Sequence, residues 1–282
     1  MQCTQTSHGE RGFSLVELLV ATAIVSSVMA AAGGLFAASR RFMQDQSLLV
    51  ETQQGLRATL ESMARDLRLG GACLPITGDF VVLDGTDSAT TDSITTRTGL
   101  VRPSLSCVSS SLTSNLASTS NQITVANSSG FTVGMRALIR HATNGTGESF
   151  TVTAVPNATT IQKSGGWTQA YPINSSVYAV DERTYAIDTS NSALPVLTVA
   201  SNGNPPMPFA YGIENLTIKY LLARNCASGC DIIDAPPPAD DQWRIVNEIL
   251  ITATARSRTL ARNGQYIRVT GRISAKPRNL LP

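Results

Sequence analysis

Charge is scarce in this 282-residue sequence: Asp, Glu, Lys and Arg make up 15% of it, and the formal net charge is +2. Globular chains carry about 25%. So small an imbalance gives no electrostatic case for nucleic acid, which is bound through concentrated positive charge. Histidine is nearly missing, with only His8 and His141, too few to build a His-based metal triad. A Gly-x-Ser-x-Gly elbow, a phosphate loop and a dinucleotide fingerprint are all absent. Acidic residues gather loosely at Asp79, Asp84, Asp87 and Asp92, and again at Asp231, Asp234, Asp240 and Asp241. Neither group has EF-hand spacing, and both read as solvated loop charge. These absences argue against an enzyme, and no cofactor is expected. Proline does not occur before Pro75, which leaves the preceding chain free to form continuous helix.

What is present at the N-terminus is a long apolar run. Between Phe13 and Ser39 the one ionisable side chain is Glu17. About 20 apolar residues suffice to cross a bilayer core as a helix. A carboxylate in the middle of such a span costs on the order of 2.5–3.5 kcal/mol, so it calls for a partner. None is near in sequence: Arg11 lies ahead of the run, and Arg40 and Arg41 follow more than twenty residues later. A secretory signal peptide has an apolar core of about 7–15 residues followed by a small-residue cleavage site. Here the run is longer, and Ala30-Ala31-Ala32 sits inside it. An ordinary membrane anchor fits the length but gives Glu17 no role.

Arg11-Gly12 followed by Phe13-Ser14-Leu15-Val16-Glu17-Leu18-Leu19-Val20-Ala21 closely resembles the processing site of type IV prepilins and type II secretion pseudopilins. The resemblance implies cleavage between Gly12 and Phe13 by a prepilin peptidase, then N-methylation of Phe13. It implies that Glu17, fifth in the processed chain, pairs with the N-terminal amine of a neighbouring subunit. The other implied partners are an inner-membrane assembly platform, the major pilin and other minor pilins, met through the N-terminal helix. A single-pass protein of the inner membrane with a periplasmic head is expected, moving later to a pilus, at its tip. Orientation comes from the resemblance alone, because Arg11 is offset by Glu10 and the Arg40-Arg41 pair lies on the far side.

In that setting Cys3 leaves with the leader, as does His8. Cys73, Cys107, Cys226 and Cys230 remain, in a compartment that supports disulfides. Four cysteines allow three pairings. Cys226 and Cys230, with three residues between them, read as a small disulfide loop rather than half of a metal site. Cys73 and Cys107 are the remaining candidates, and sequence leaves the connectivity open. His141 reads as a solvated turn residue.

Organisation follows from patterning. Residues 1–12 are the leader, 13–39 a transmembrane or filament-core helix, and 40–70 its amphipathic continuation. Phe42, Leu49, Leu56, Leu60, Met63 and Leu67 form its apolar stripe. Arg57, Glu61 and Arg65 lie at i, i+4 spacing on an exposed face. Gly70-Gly71, with Pro75 beyond, is a stop signal. A continuous helix from Phe13 to Leu69 would be about 85 Å long at ~1.5 Å per residue. Residues 71–120 start a β-rich head, with a Ser/Thr/Asn-rich linker over 104–120. Residues 121–180 read as an inserted β-module with strands over 122–125, 137–140, 149–155 and 159–163. Its closing strand, 176–180, leads directly into 183–188. Residues 181–282 complete the head with strands over 193–199, 213–222, 243–255 and 265–275.

The expected fold class is α+β, a long N-terminal helix packed on a β-rich head. The order of the C-terminal elements looks like the PilW branch of minor pilins and the related J pseudopilin of type II secretion. The implied function is a minor pilin that primes assembly of a type IV pilus or caps its tip. The alternatives are a J-type minor pseudopilin and a tip adhesin or ligand-binding pilin.

Overall fold

The computed structural model describes residues 14–75, 80–104, 106–224, 230–234 and 243–279. Helix α1 (Leu15–Leu69, 55 residues) is followed by strands β1 (Leu83–Thr86), β2 (Ser93–Gly99), β3 (Ser109–Ser111), β4 (Gln122–Thr124), β5 (Arg136–Arg140), β6 (Gly147–Thr151), β7 (Ala154–Asn157) and β8 (Thr160–Gln162). Then come β9 (Ser176–Asp188), β10 (Val196–Ser201), β11 (Met207–Tyr211), β12 (Ile213–Leu222), β13 (Ile232–Ile233), β14 (Val246–Arg256) and β15 (Arg268–Ala275). This is one long apolar-headed helix on a β-rich head.

The helix has two regimes. Residues from Leu15 to Met43 are exposed, and the first buried residue among those described is Thr52. Beyond it Leu56, Leu60, Met63, Ala64 and Leu67 are at most 4% exposed. Each such apolar side chain contributes roughly 1.5–3 kcal/mol. They pack on a four-stranded antiparallel sheet, β13-β12-β14-β15. The stripe is thus shorter than its sequence period suggests. Phe42 is 65% exposed because the head reaches the helix fully only from Thr52 onward. The helix ends at Leu69, where the Gly70 N–H bonds back to the Leu67 carbonyl and Gly71 turns at φ +79°. Glycine is what such a left-handed turn favours.

Strand alternation sets the core. On β12 Ile213, Leu216, Ile218, Tyr220 and Leu222 face inward, while Thr217 is exposed. A register shift between Ile213 and Asn215 moves the buried set by one residue, which the plain alternation could not resolve. The same core takes Leu83, Ile94, Tyr185 and Leu197 from a second sheet. That sheet has eight strands, five along the path β1-β2-β9-β10-β11, with β3 and β5 paired to β9 and β6 to β5. Asp92 joins the two sheets: its N–H donates to the Leu216 carbonyl (2.9 Å), and its Oδ2 accepts the Ile218 N–H (2.7 Å). Asp92 is 6% exposed, so it is a buried connector and not a solvated loop acid.

A second core lies in a separate lobe. Val108, Leu112, Leu116, Ile123, Phe131, Ile139, Phe150, Ile161, Trp167 and Val177 are buried together. The lobe therefore takes in the stretch expected as a linker over 104–120, where Val108, Leu112 and Leu116 are buried and β3 pairs with β9. The expected strand over 149–155 is two strands. The Val152 N–H still donates to Met135 beside β5, but the Thr153 N–H donates to Gln162 on β8. At that point the chain leaves the large sheet for the three-stranded sheet β4-β8-β7. The expected strands 176–180 and 183–188 are one 13-residue strand, β9. It contributes Val177 and Ala179 to the lobe core and Tyr185 to the main core.

Candidate functional site

The features singled out at the N-terminus surround the start of α1. Gly12 and Phe13 lie outside the described residues. Ser14 is the extended residue before the helix, and its carbonyl accepts the Leu18 N–H at 3.1 Å. Glu17 lies in the first turn, where the unpaired N–H groups of a helix favour an acid. No hydrogen bond or ion pair engages it among the described residues, and Leu15, Val16, Leu18, Leu19 and Val20 around it are all more than half exposed. The helix is long and apolar enough to cross a membrane, with a mean hydropathy of 2.1 in its most apolar window, none of which the head buries.

Three hydroxyls in that span are satisfied by their own helix. Thr22 donates to the Leu19 carbonyl, Ser26 to Thr22 and Ser27 to Ile24. Hydroxyls bonded back onto their own helix bring little unmet polarity into an apolar surrounding. A Cβ built on Gly33 or Gly34 meets nothing within 4 Å, so neither glycine is needed for packing inside this chain. Chemically, this end of the molecule offers an apolar rod whose one acid, close to its tip, has no partner among the described residues.

The cysteines lie elsewhere. Cys73, just past the helix, is disulfide-bonded to Cys107, with Cα atoms 5.5 Å apart. Gly99 lies against this bridge: a Cβ there would come within 2.6 Å of the Cys73 Cβ. Cys230 is also disulfide-bonded, and its partner lies outside the described residues, as does Cys226. Among the described residues no group of three or more His, Cys, Asp or Glu could hold a metal ion. His141 closes a turn, its Nδ1 accepting the Thr143 and Asn144 N–H groups.

Buried polar networks that sequence reasoning missed hold the head together. Asp66 of α1 accepts the Tyr185 hydroxyl at 2.6 Å and the Arg183 guanidinium at 2.9 Å. Burial, then the bond to Asp66, pushes the Tyr185 phenol well above its usual range. Glu148 accepts from the Thr168 N–H and hydroxyl and from the Tyr171 hydroxyl. Burial first, with Glu148 adding to it, pushes the Tyr171 phenol up to about 12. Lys163 lies 3.9 Å above the Trp167 ring. Partners in the first network are more than a hundred residues apart in sequence, so no local signal could have found them.

Residues 7–33 match the prokaryotic N-terminal methylation motif. That match ends within the exposed part of the helix and does not reach the head. Comparison with curated proteins gave no match. Among solved structures, a type IV-like pilin from Thermus thermophilus aligns with a TM-score of 0.38 and 12% identity, over 81% of this chain and 97% of that one. So loose an overlap assigns nothing to this chain.

Proposed function

We propose that the protein is a pilin-like structural subunit, cut between Gly12 and Phe13 by a prepilin peptidase, methylated on Phe13, and assembled through its N-terminal helix. The observation that carries this reading is the conjunction at the helix start. The methylation motif over residues 7–33 leads into a helical span that its own head leaves bare, with Glu17 as its one ionisable side chain. A span of that kind needs lipid before assembly and other helices after it. In a bundle of such helices the freed amine of one Phe13 meets the Glu17 of another, which supplies the missing partner.

The finer reading is a minor, PilW-type subunit at the end of a pilus. Its support is the shape of the head, where a lobe with its own core is added to the part that packs on the helix. Heads repeated at the spacing of bundled helices leave little room for such a lobe, whereas at an end nothing lies above it. Heterologous packing confined to one end needs few copies.

Mass spectrometry of the membrane-inserted and assembled protein should find a chain starting at Phe13 and carrying one extra methyl group. Glu17→Ala should still insert, because removing an acid from the span eases insertion, yet reach filaments poorly. Incorporation of Glu17→Ala at the parental level would remove the assembly role. A signal spread along the shaft at parity with the major subunit would refute the end position.

A further inference from the structure

The free sheet edges of this molecule are not alike. The outer strands β1, β3, β4, β6, β7, β11 and β13 are two to five residues long. Strand β11 also carries Pro208, and its ladder with β10 slips between Leu197 and Thr198. Proline and irregular register both blunt an edge. Strand β15 has neither feature. Its eight residues pair with β14 with no shift, and no strand covers its outer side among the described residues.

The ladder shows which backbone groups face outward. The Thr254 and Thr270 hydroxyls meet at 2.9 Å, which marks their residues as a closely spaced pair without mutual backbone bonds. Just before the strand, the Ser257 N–H donates to the Ile267 carbonyl at 2.8 Å, a bonded pair in the opposite phase. Alternation then directs the N–H and C=O groups of Arg268, Thr270, Arg272 and Ser274 away from β14. Among the described residues these groups have one partner, the Arg68 guanidinium, which donates to the Ser274 carbonyl at 3.1 Å.

Arginines on an edge often block pairing, but these fold back over the sheet. Arg268 donates to Glu214 at 2.8 Å, and Arg272 reaches the Thr252 hydroxyl at 3.3 Å. Between the edge and α1 runs a groove of about 290 Å³ whose apolar lining is Leu56, Leu60, Val269 and Ile273. Its helical wall carries Arg57 and Glu61, paired with each other at 2.8 Å, and continues past Arg65 and Arg68. No ion pair engages Arg65, Arg68 or Arg272 among the described residues, so the rim is basic.

We propose that the β15 edge binds an extended acidic segment of a partner protein, taken up as a fifth strand. Strand addition supplies the backbone partners that Arg268, Thr270 and Arg272 lack, and Arg65, Arg68 and Arg272 select for acid. A second copy of this chain is a poor occupant. Among the described residues its one outer strand of matching length is β15 itself, and pairing two of these would set arginine strand against arginine strand. The edge is present whatever happens at Gly12, so failure of processing and failure of this binding are separate results.

The test uses the full chain in detergent and synthetic peptides of about eight residues, the length of the strand, in which Asp alternates with Thr or Val. Binding should bring hydrogen-exchange protection to the amides of Arg268, Thr270, Arg272 and Ser274, while those of Val269, Gly271 and Ile273 are protected already. Methylating every second peptide amide, in both phases, keeps the charge and should weaken binding in one phase by at least about tenfold. Thr270→Pro removes one outward N–H without touching the ladder and should do the same, as should Arg65→Glu combined with Arg272→Glu. Equal binding by both methylated peptides would reduce the contact to charge alone and overturn the proposal. So would binding without protection of the outward amides, no binding of any acidic peptide, or tighter binding of a single-stranded oligothymidine.

Discussion

Asp66 ties the helix to the head by polar bonds. Its carboxylate takes the Tyr185 hydroxyl and the Arg183 guanidinium. The Arg183 side chain is 43% exposed, so water screens that bond and the tyrosine carries most of its worth. Asp66→Ala leaves a buried hydroxyl without an acceptor and should cost about 2–3 kcal/mol, read from denaturant unfolding in detergent; a loss within 0.5 kcal/mol, the usual range for surface changes, would show that the network is not structural. Glu214 gives the pH dependence. Burial alone would push its carboxyl up, but Arg268 and Arg256 outweigh that and hold it below the ordinary value of 4.5. A carboxylate held low in the folded state stabilises the fold above its unfolded pKa, and that contribution is lost as pH falls through the folded one. Glu214→Gln should therefore be less stable than the parent at pH 7, and the two melting curves should converge below pH 4.5. Sequence pointed to Glu17 because a charge in an apolar run is conspicuous by itself. Asp66 and Glu214 were invisible, since one charge among many polar residues acquires meaning only from strands far along the chain.

At the scale of elements, the helix was legible almost to its last residue. A run without proline, an apolar period and a glycine pair at its end specify it locally. Its depth of burial was not legible, because the same period continues through Phe42 where the head no longer reaches. The strands β14 and β15 were also readable, from strand composition and the lack of a helical period, whereas the passage from β6 to β7 was not, since it is a change of partner within the β-branched run Thr151-Val152-Thr153. Gly271 fixes how closely helix and hairpin approach. A Cβ there would lie 3.0 Å from both Leu56 Cδ2 and Leu60 Cδ1. The ends of two leucines can yield to a methyl group but not to a branched side chain. Gly271→Val should cost about 1–3 kcal/mol by overpacking, seen as a lowered melting temperature, and Gly271→Ala distinctly less. Equal stability of Gly271→Val and the parent would mean that the helix is free to lift from the sheet.

At the scale of the whole molecule, the division of the head was only half visible. The polar composition of 104–120 concealed three buried residues at intervals of four, Val108, Leu112 and Leu116, and so hid the true start of the lobe. The two cores are joined through β9 and, covalently, through Cys73–Cys107, across a sequence separation of 34. That bridge determines how the subunit carries mechanical load. A pull between the foot of α1 and the lobe enters at Cys73 and leaves at Cys107, so the sulfur bridge bears the tension and the looped segment with β1 and β2 stays slack. In an optical trap with handles at Ser14 and at Asn144, the oxidised protein should yield at most the chain of α1 and the part of the lobe between Cys107 and Asn144. Under reductant the loop should add roughly 110 Å of extension, at about 3.3 Å per residue. The same extension with and without reductant would mean that the bridge lies off the load path. Held oxidised, the molecule is a tether in which a pull on the helix reaches the lobe without passing along the chain of β1 and β2.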